Sequence, residues 1–253
     1  MTALLESAGH CPTCDCDVRF VASREWLRDY FACSNCGSIP RERALMLTIA
    51  RHYPEWRGLR IHESSPGSRG ASVRLARECP GYVPTQYFPG HTSGALVDGV
   101  RCENLEALSF ADGSVDLHVT QDVLEHVFRP ERVFREIART LAPGGAHICT
   151  VPLVLKERPS RRRARLAEDG TVVHVEPPEY HDNPLTPEGS LVTFDWGYDI
   201  CQWIFDASGL FTEIVWIDDL FHGIRAEYIE VLVTRKPDIG PGGTPHTTGG
   251  ESS

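Results

Sequence analysis

From residue 57 onward the chain alternates short apolar runs with longer segments of helical periodicity, and no other feature limits its fold as strongly. Leu59-Arg60-Ile61-His62-Glu63 reads as a first strand. The turn Ser64-Ser65-Pro66-Gly67-Ser68-Arg69-Gly70 and a helix over Ala71 to Arg77 follow it. Tyr82 to Tyr87 and Val115 to Thr120 read as further strands. Pro130 to Leu141 reads as a helix closed by Pro143-Gly144-Gly145, and Ala146 to Val151 as the next strand. Phe194 to Gly209 has helical content, and Phe211 to Trp216 and Tyr228 to Val233 read as a closing antiparallel pair. Strands that alternate with helices can bury both faces of one mostly parallel sheet, so the expected class is α/β and doubly wound.

A length of 253 residues suits one domain of ordinary size with a small appendage. The net charge of −10 argues against a phosphate-binding basic face, and so against nucleic acid as a partner. No apolar run approaches the roughly 20 residues that a membrane-spanning helix needs. The start MTALLESAGH lacks the basic head and apolar core of a secretory signal, so a cytoplasmic location without membrane attachment is expected. One basic cluster, Lys156, Arg158, Arg161, Arg162, Arg163 and Arg165, reads as a solvated face; the alternative is a grip on an acidic group or phosphate.

The nine cysteines are unevenly spread. Cys79, Cys102, Cys149 and Cys201 are scattered and read as small core residues. Cys11-Pro12-Thr13-Cys14 and Cys33-Ser34-Asn35-Cys36 are two CxxC pairs, each able to aim two thiolates at one ion. The stretches around Phe20 and Phe31 read as short strands that deliver the two turns, as in a zinc ribbon. A redox dithiol or a disulfide pair is the alternative, and Cys16 is an extra thiol that could stand in for Cys14. A closed four-thiolate site has no open position, so its zinc would be structural. About 30 residues bury little core, and metal binding would supply the missing folding energy.

The stretch Leu108-Ser109-Phe110-Ala111-Asp112-Gly113-Ser114-Val115-Asp116-Leu117, then Asp122-Val123-Leu124-Glu125-His126-Val127, then Phe134 to Gly145, resembles class I S-adenosylmethionine-dependent methyltransferases of the methyltransferase-11 kind. The pieces occur in the family's order and spacing, and the likeness spans roughly residues 57–235. It implies a seven-stranded Rossmann-like sheet with S-adenosyl-L-methionine across the carboxyl ends of its strands. Glu63 matches the acid expected to meet the ligand's ammonium group. Ser65 and Gly67 stand in the glycine-rich loop, where only Gly67 keeps the family's register. Gln86 replaces the usual ribose-binding acid, with Tyr87 beside it. Glu103, Asn104 and Leu105 match the segment flanking the adenine, and Gln121 and Asp122 the end of the fourth strand. His126 follows as a pocket or active-site candidate.

These readings divide the chain into a zinc-ribbon-like knot (1–39), a linking helix (40–56), the methyltransferase domain (57–235) with a lid-like insertion (154–192), and a tail (236–253) expected to be disordered. The insertion carries His174-Val175-Glu176-Pro177-Pro178-Glu179-Tyr180-His181-Asp182-Asn183-Pro184, similar to a stretch in a bacterial subgroup of these enzymes. Tyr180 and His181 are its candidates for substrate contact or general base, since an imidazole can take a proton near neutral pH. The expected activity is methyl transfer to a small molecule or sugar-like metabolite; the alternatives are an RNA methyltransferase and a catalytically silent binding protein that keeps the fold. Elemental analysis is expected to find zinc in the cysteine knot, and Cys33→Ser should unfold that knot; a metal-free, folded wild type would contradict the assignment.

Overall fold

The computed structural model describes residues 4–183 and 186–238. Two strands, β1 (Leu5–Cys11) and β2 (Cys16–Ala22), form a hairpin, and β3 (Phe31–Cys33) adds to β2. The first CxxC turn therefore joins β1 to β2, while the second follows β3. Helix α1 (Pro40–His52) leads into the body, with Pro40 as its first residue, where a missing N–H costs nothing. In the body lie β4 (Ile61–Ser64), α2 (Gly70–Glu78), β5 (Tyr82–Thr85), β6 (Val115–Gln121), α3 (Pro130–Thr140), β7 (Leu141–Thr150), α4 (Ile200–Ser208), β8 (Thr212–Val215) and β9 (Val231–Arg235).

The central sheet has the order β8-β9-β7-β6-β4-β5. Strands β5, β4, β6 and β7 run parallel, and β9 and β8 close the far edge antiparallel. The sheet is six-stranded rather than the seven-stranded one expected. Where a seventh strand would lie beyond β5, the pairing shrinks to one parallel bridge, Gln86 with Cys102. Its backbone bonds are Gln86 N–H to Arg101 O (3.0 Å) and Glu103 N–H to Gln86 O (3.0 Å).

Each face of the sheet carries its own core. One is built from α1, α2 and the inner side of the sheet, with Leu45, Ile49, Trp56, Leu75 and Val119 buried. The other packs α3 and α4 against Val151, Phe194 and Trp196. Phe194 and Trp196 stack at 4.6 Å and 7°, and Trp203 meets both edge-on. The expected helix over 194–209 accordingly begins only at Ile200. Phe194 and Asp195 stay extended because they pair with Arg162 and Arg161 of the insertion, and the Trp196 indole donates to Leu124 O (3.2 Å).

A row of three histidines crosses the parallel strands, His62 beside His118 beside His147, all buried. Their hydrogen bonds have one consistent direction. Thr140 Oγ1 donates to Glu136 O, so it accepts from His118 Nε2; His118 Nδ1 then accepts from His62 Nδ1, and His62 Nε2 accepts from Thr85 Oγ1, each near 2.8 Å. That chain holds His62 and His118 neutral. Burial depresses His62 to about 3 and His147 to about 4, and pushes His118 well below its ordinary range.

The described residues run three beyond the expected body boundary. Lys236 donates to Ala138 O (2.8 Å) and Leu141 O (2.7 Å), tying the end of α3 to the chain after β9. The tail predicted to be disordered lies, from residue 239, outside the described residues, as do 184 and 185 in the insertion.

Because the folded-state values of these histidines lie below their unfolded value of 6.5, their stabilisation is whole above that pH and is lost as pH falls toward the folded values. The imidazole resonances of His62, His118 and His147 should not titrate between pH 8 and about 5. Half-protonation of any of the three above about pH 6 would contradict the neutral chain.

Candidate functional site

Strands β4 and β6 end side by side, and both chains leave the sheet in a left-handed conformation. Ser65 has φ +55° and Asp122 φ +52°, values that only short polar residues or glycine adopt readily. Non-glycine residues in this region store local strain, and such strain gathers at binding sites. Around these two turns stand three carboxylates, Glu63, Asp122 and Glu125, and each has a different solution to its burial.

Glu63 is fully enclosed. Ser72 Oγ (2.7 Å) and Gln121 Nε2 (2.8 Å) donate to one oxygen, and Tyr82 Oη (2.6 Å) donates to the other. Burial raises its pKa against those three donors. In this arrangement Glu63 faces inward and fixes the Gln121 amide. Ser72 also accepts from Gly67 N–H (2.9 Å), so the same hydroxyl shapes the glycine loop.

Helix α1 covers that loop. Glu42 accepts from Ile39 N–H at the start of α1 (3.1 Å) and from Arg69 Nε (2.9 Å). A Cβ on Gly70, whose φ is +64°, would lie 2.4 Å from the Glu42 carboxylate, so glycine is required there. At Gly70 the tight geometry of the loop is imposed by a helix from outside the sheet.

Asp122 is paired with two arginines from the N-terminal segment: Arg28 Nη2 at 2.7 Å and Arg41 Nε at 3.0 Å. Arg28 Nη2 and Thr150 Oγ1 (3.1 Å) donate hydrogen bonds to it. The two guanidinium groups hold its carboxyl below the ordinary range although burial opposes them. Arg28 sits on a single helical turn between β2 and β3, and its Nε also donates to Tyr228 O (3.0 Å). The cysteine module thus reaches the carboxyl edge of the sheet.

Glu125 is 2% exposed, and among the described residues neither carboxylate oxygen has a hydrogen-bond donor. Burial, then the neighbouring Asp122 charge, raises its pKa well above the carboxylate range. His126 Nε2 and His181 Nδ1 each lie 3.8 Å from its Oε1. The two rings meet edge-on at 5.2 Å, although His181 comes from the insertion's hairpin, 180–183 with 186–191.

The predicted residues separate accordingly. Gln121 and Asp122 join Glu63 at the sheet edge, and His126 and His181 come together. Tyr180, paired with Leu191, is half exposed and lies one position along the strand, so it faces away from His181. Gln86 carries the bridge to Cys102, and Tyr87 beside it is exposed. Glu103 is buried and held by Arg101 Nε (2.8 Å) and Ser109 N–H (2.9 Å). Asn104 closes a turn by accepting from Glu106 N–H (2.9 Å), and Leu105 is buried. Glu125, Arg28 and Arg41 were not singled out from sequence; only the Leu124-Glu125-His126 run gave any signal for Glu125.

At the other end of the N-terminal segment, Cys11, Cys14, Cys33 and Cys36 bring all four sulfurs within 4.8 Å of one another. The Cys11–Cys36 and Cys14–Cys33 sulfur separations are 3.8 and 3.9 Å, against about 3.8 Å for a tetrahedron with 2.3 Å metal–sulfur bonds. All are free thiols, and Cys16 is exposed and apart. Arg43 is fully buried behind them, donating to Phe31 O (2.7 Å), Gly223 O (2.5 Å) and Ser38 O. Burial lowers its pKa to about 10, partly offset by the charges of Cys11, Cys33, Glu42 and Cys36.

Of the insertion's basic cluster, Arg161 and Arg163 pair with Asp195 (2.7 and 3.0 Å), and Arg162 donates to Phe128 O (2.6 Å) while lying over Phe194. These charges hold the insertion to the body rather than form an open basic groove.

Residues 88–149 match the family profile described as "Methyltransferase domain". The chain has the α/β fold of class I methyltransferases, and this stretch resembles their domain. The profile begins downstream of the Ser65–Gly70 loop, in keeping with the loop's altered sequence. Among solved structures, an S-adenosylmethionine-dependent methyltransferase from Mesorhizobium loti is 20% identical with a TM-score of 0.50, covering 76% of this chain and 98% of its own. A second, from Methanosarcina mazei, is 17% identical (TM-score 0.41; 72% and 93% covered). The Burkholderia thailandensis 1,6-didemethyltoxoflavin-N1-methyltransferase is 14% identical (TM-score 0.44; 78% and 80% covered). No curated protein sequence matches. The first of these likenesses, covering 98% of that structure, supports the fold. No helix among the described residues is long and apolar enough to cross a membrane.

Removing Arg43 would leave three buried carbonyls and the sulfur cluster without their cation. Arg43→Met should therefore destabilise the chain by about 3–5 kcal/mol in denaturant titration. A loss below about 1 kcal/mol would show that the cluster carries no charge to balance.

Proposed function

We propose that this domain transfers a methyl group from S-adenosyl-L-methionine to a small-molecule acceptor, with a structural zinc ion in the cysteine knot. The match of residues 88–149 to the methyltransferase domain, joined to the strained polar turns at the ends of β4 and β6, carries the reading. Loops at the carboxyl ends of parallel strands are where open α/β sheets bind ligands.

The polar groups at that edge suit the cofactor in part. Gln86 and Tyr87 stand on the ribose side, Asn104 on the adenine side, and Gln121 and Asp122 under the methionine part. Glu63 supports this set from behind by holding the Gln121 amide. Arg28 and Arg41 offer two cations for the ligand's carboxylate. Such pairs bind carboxylates by charge-assisted hydrogen bonds. The cofactor supplies the electrophilic methyl group. The protein's task is alignment and exclusion of water, since an in-line displacement is accelerated mainly by proximity. His181 and His126 form the acceptor side, where burial lowers the His126 pKa, while Tyr180 lies on the other face of the same strand. The acidic net charge and the internally paired arginines favour a small acceptor over RNA.

The inward-facing Glu63 favours a second reading, a binding protein that keeps the fold without turnover. Calorimetric titration of the zinc-loaded chain separates the two. The expected outcome is micromolar binding of S-adenosylmethionine and S-adenosylhomocysteine, weakened at least tenfold in Arg28→Ala, about the loss of one charged hydrogen bond. No binding of either ligand at millimolar concentration would overturn the enzyme reading. Unchanged affinity in Arg28→Ala would remove the arginine from the site.

A further inference from the structure

The trio Glu125, His126 and His181 carries more than an acceptor-side role. Its three inner atoms, Glu125 Oε1, His126 Nε2 and His181 Nδ1, converge, with all three ligand atoms within 4.8 Å of one another. From these positions we propose that the chain binds a second metal ion, a divalent first-row transition metal, at a site of two histidines and one glutamate distinct from the cysteine knot.

Three observations carry this. The first is the Glu125 carboxylate, which is buried with no donor on either oxygen among the described residues. A buried carboxylate without a partner costs several kcal/mol unless it is neutralised, and a cation between it and the imidazoles would do so. The second is how the two rings are fixed. His126 Nδ1 lies 2.9 Å from Leu191 O, which can only accept, so Nδ1 carries the proton and the Nε2 lone pair faces Glu125. His181 presents Nδ1 to Glu125, while its Nε2 lies 3.8 Å from Glu179 Oε1. Of the two, His126 is oriented as metal-bound histidines are, by a carbonyl on the far nitrogen. The third is spacing. Both nitrogens are 3.8 Å from Oε1, and ligand atoms around a tetrahedral ion with 2.1 Å bonds stand about 3.4 Å apart. Closing that gap needs a few tenths of an ångström, and His181 lies on a half-exposed hairpin that can supply it.

The nearby cations do not occupy this position. Arg28 and Arg41 are bonded to Asp122, and Arg41 also to Asp29 (2.8 Å). Three nitrogen and oxygen ligands leave open coordination positions, as in catalytic rather than structural sites, and the mixed donor set suits zinc or ferrous iron. The site itself stands on this geometry. Its use, to bind and polarise an acceptor oxygen with the imidazoles as ligands instead of free bases, rests on the proposed methyl transfer.

The test uses the full chain loaded with one equivalent of zinc, which the four thiolates take first, and then titrated with cobalt(II) chloride. The expected result is a visible d–d absorption band saturating at one further equivalent, without a near-ultraviolet thiolate-to-cobalt band. His181→Ala, which alters a half-exposed position and should leave the circular dichroism unchanged, should weaken cobalt binding at least tenfold, and so should Glu125→Gln. No visible band, a band accompanied only by thiolate charge transfer, or equal binding in both variants would overturn the site. S-adenosylhomocysteine calorimetry on the same samples keeps the readings apart. Cobalt without cofactor binding removes the methyltransferase reading alone, and cofactor without cobalt binding removes the metal alone.

Discussion

Three carboxylates gathered at the carboxyl edge of a parallel sheet impose the constraint around which this molecule is arranged. Water does not reach Glu63 or Glu125, and Asp122 is largely shielded, so each negative charge must be met from within the protein. Glu63 is met by hydroxyl and amide donors from α2, β5 and β6. Asp122 is met by full positive charges, whereas Glu125 has two imidazole nitrogens 3.8 Å away and no hydrogen-bond donor among the described residues, and burial raises its pKa instead. Their neighbours come largely from outside the sheet: Arg28 from the cysteine module, Arg41 from α1 and His181 from the insertion. Those additions complete the edge rather than decorate it.

This explains why the N-terminal module packs as it does. Gly9 lies against the Phe221 carbonyl with no room for a Cβ, and His10 N–H donates to that same oxygen (2.8 Å). Arg43 bonds both the module and the loop at Gly223, and its charge faces the sulfur cluster. Geometry held by the four cysteines is thereby transmitted to Arg28, and from Arg28 to Asp122. Loss of the knot would reach the edge of the sheet through this path, although the two lie on different elements.

Much of this was readable in the residue order. The alternation from residue 57 led to the right class and to most strands within one to three residues. The CxxC spacing located four thiols whose sulfurs do converge. The run Asp122 to His126 marked the end of β6. Local pattern failed where tertiary pairing overrode it. Phe194 and Trp196 have helical neighbours in sequence but are drawn into extended form by Arg161, Arg162 and the aromatic stack. The seventh strand shrank to one bridge at Gln86. The basic cluster looked solvated because its acidic partner, Asp195, lies some thirty residues away.

What the sequence determined by itself was therefore the fold class and the paired-cysteine pattern of the knot, both of which depend on contacts within a few residues or on an ordered motif. What only the tertiary structure decided was which charge meets which. Glu63, Asp122 and Glu125 are all carboxylates, and no local pattern says what will meet each of them. Their roles follow from how deeply each is buried and from which distant side chains, Arg28 and Arg41, Tyr82, or His181, arrive beside it once the sheet is formed. Electrostatic energies depend on separation and burial, and neither is a property of position along the chain.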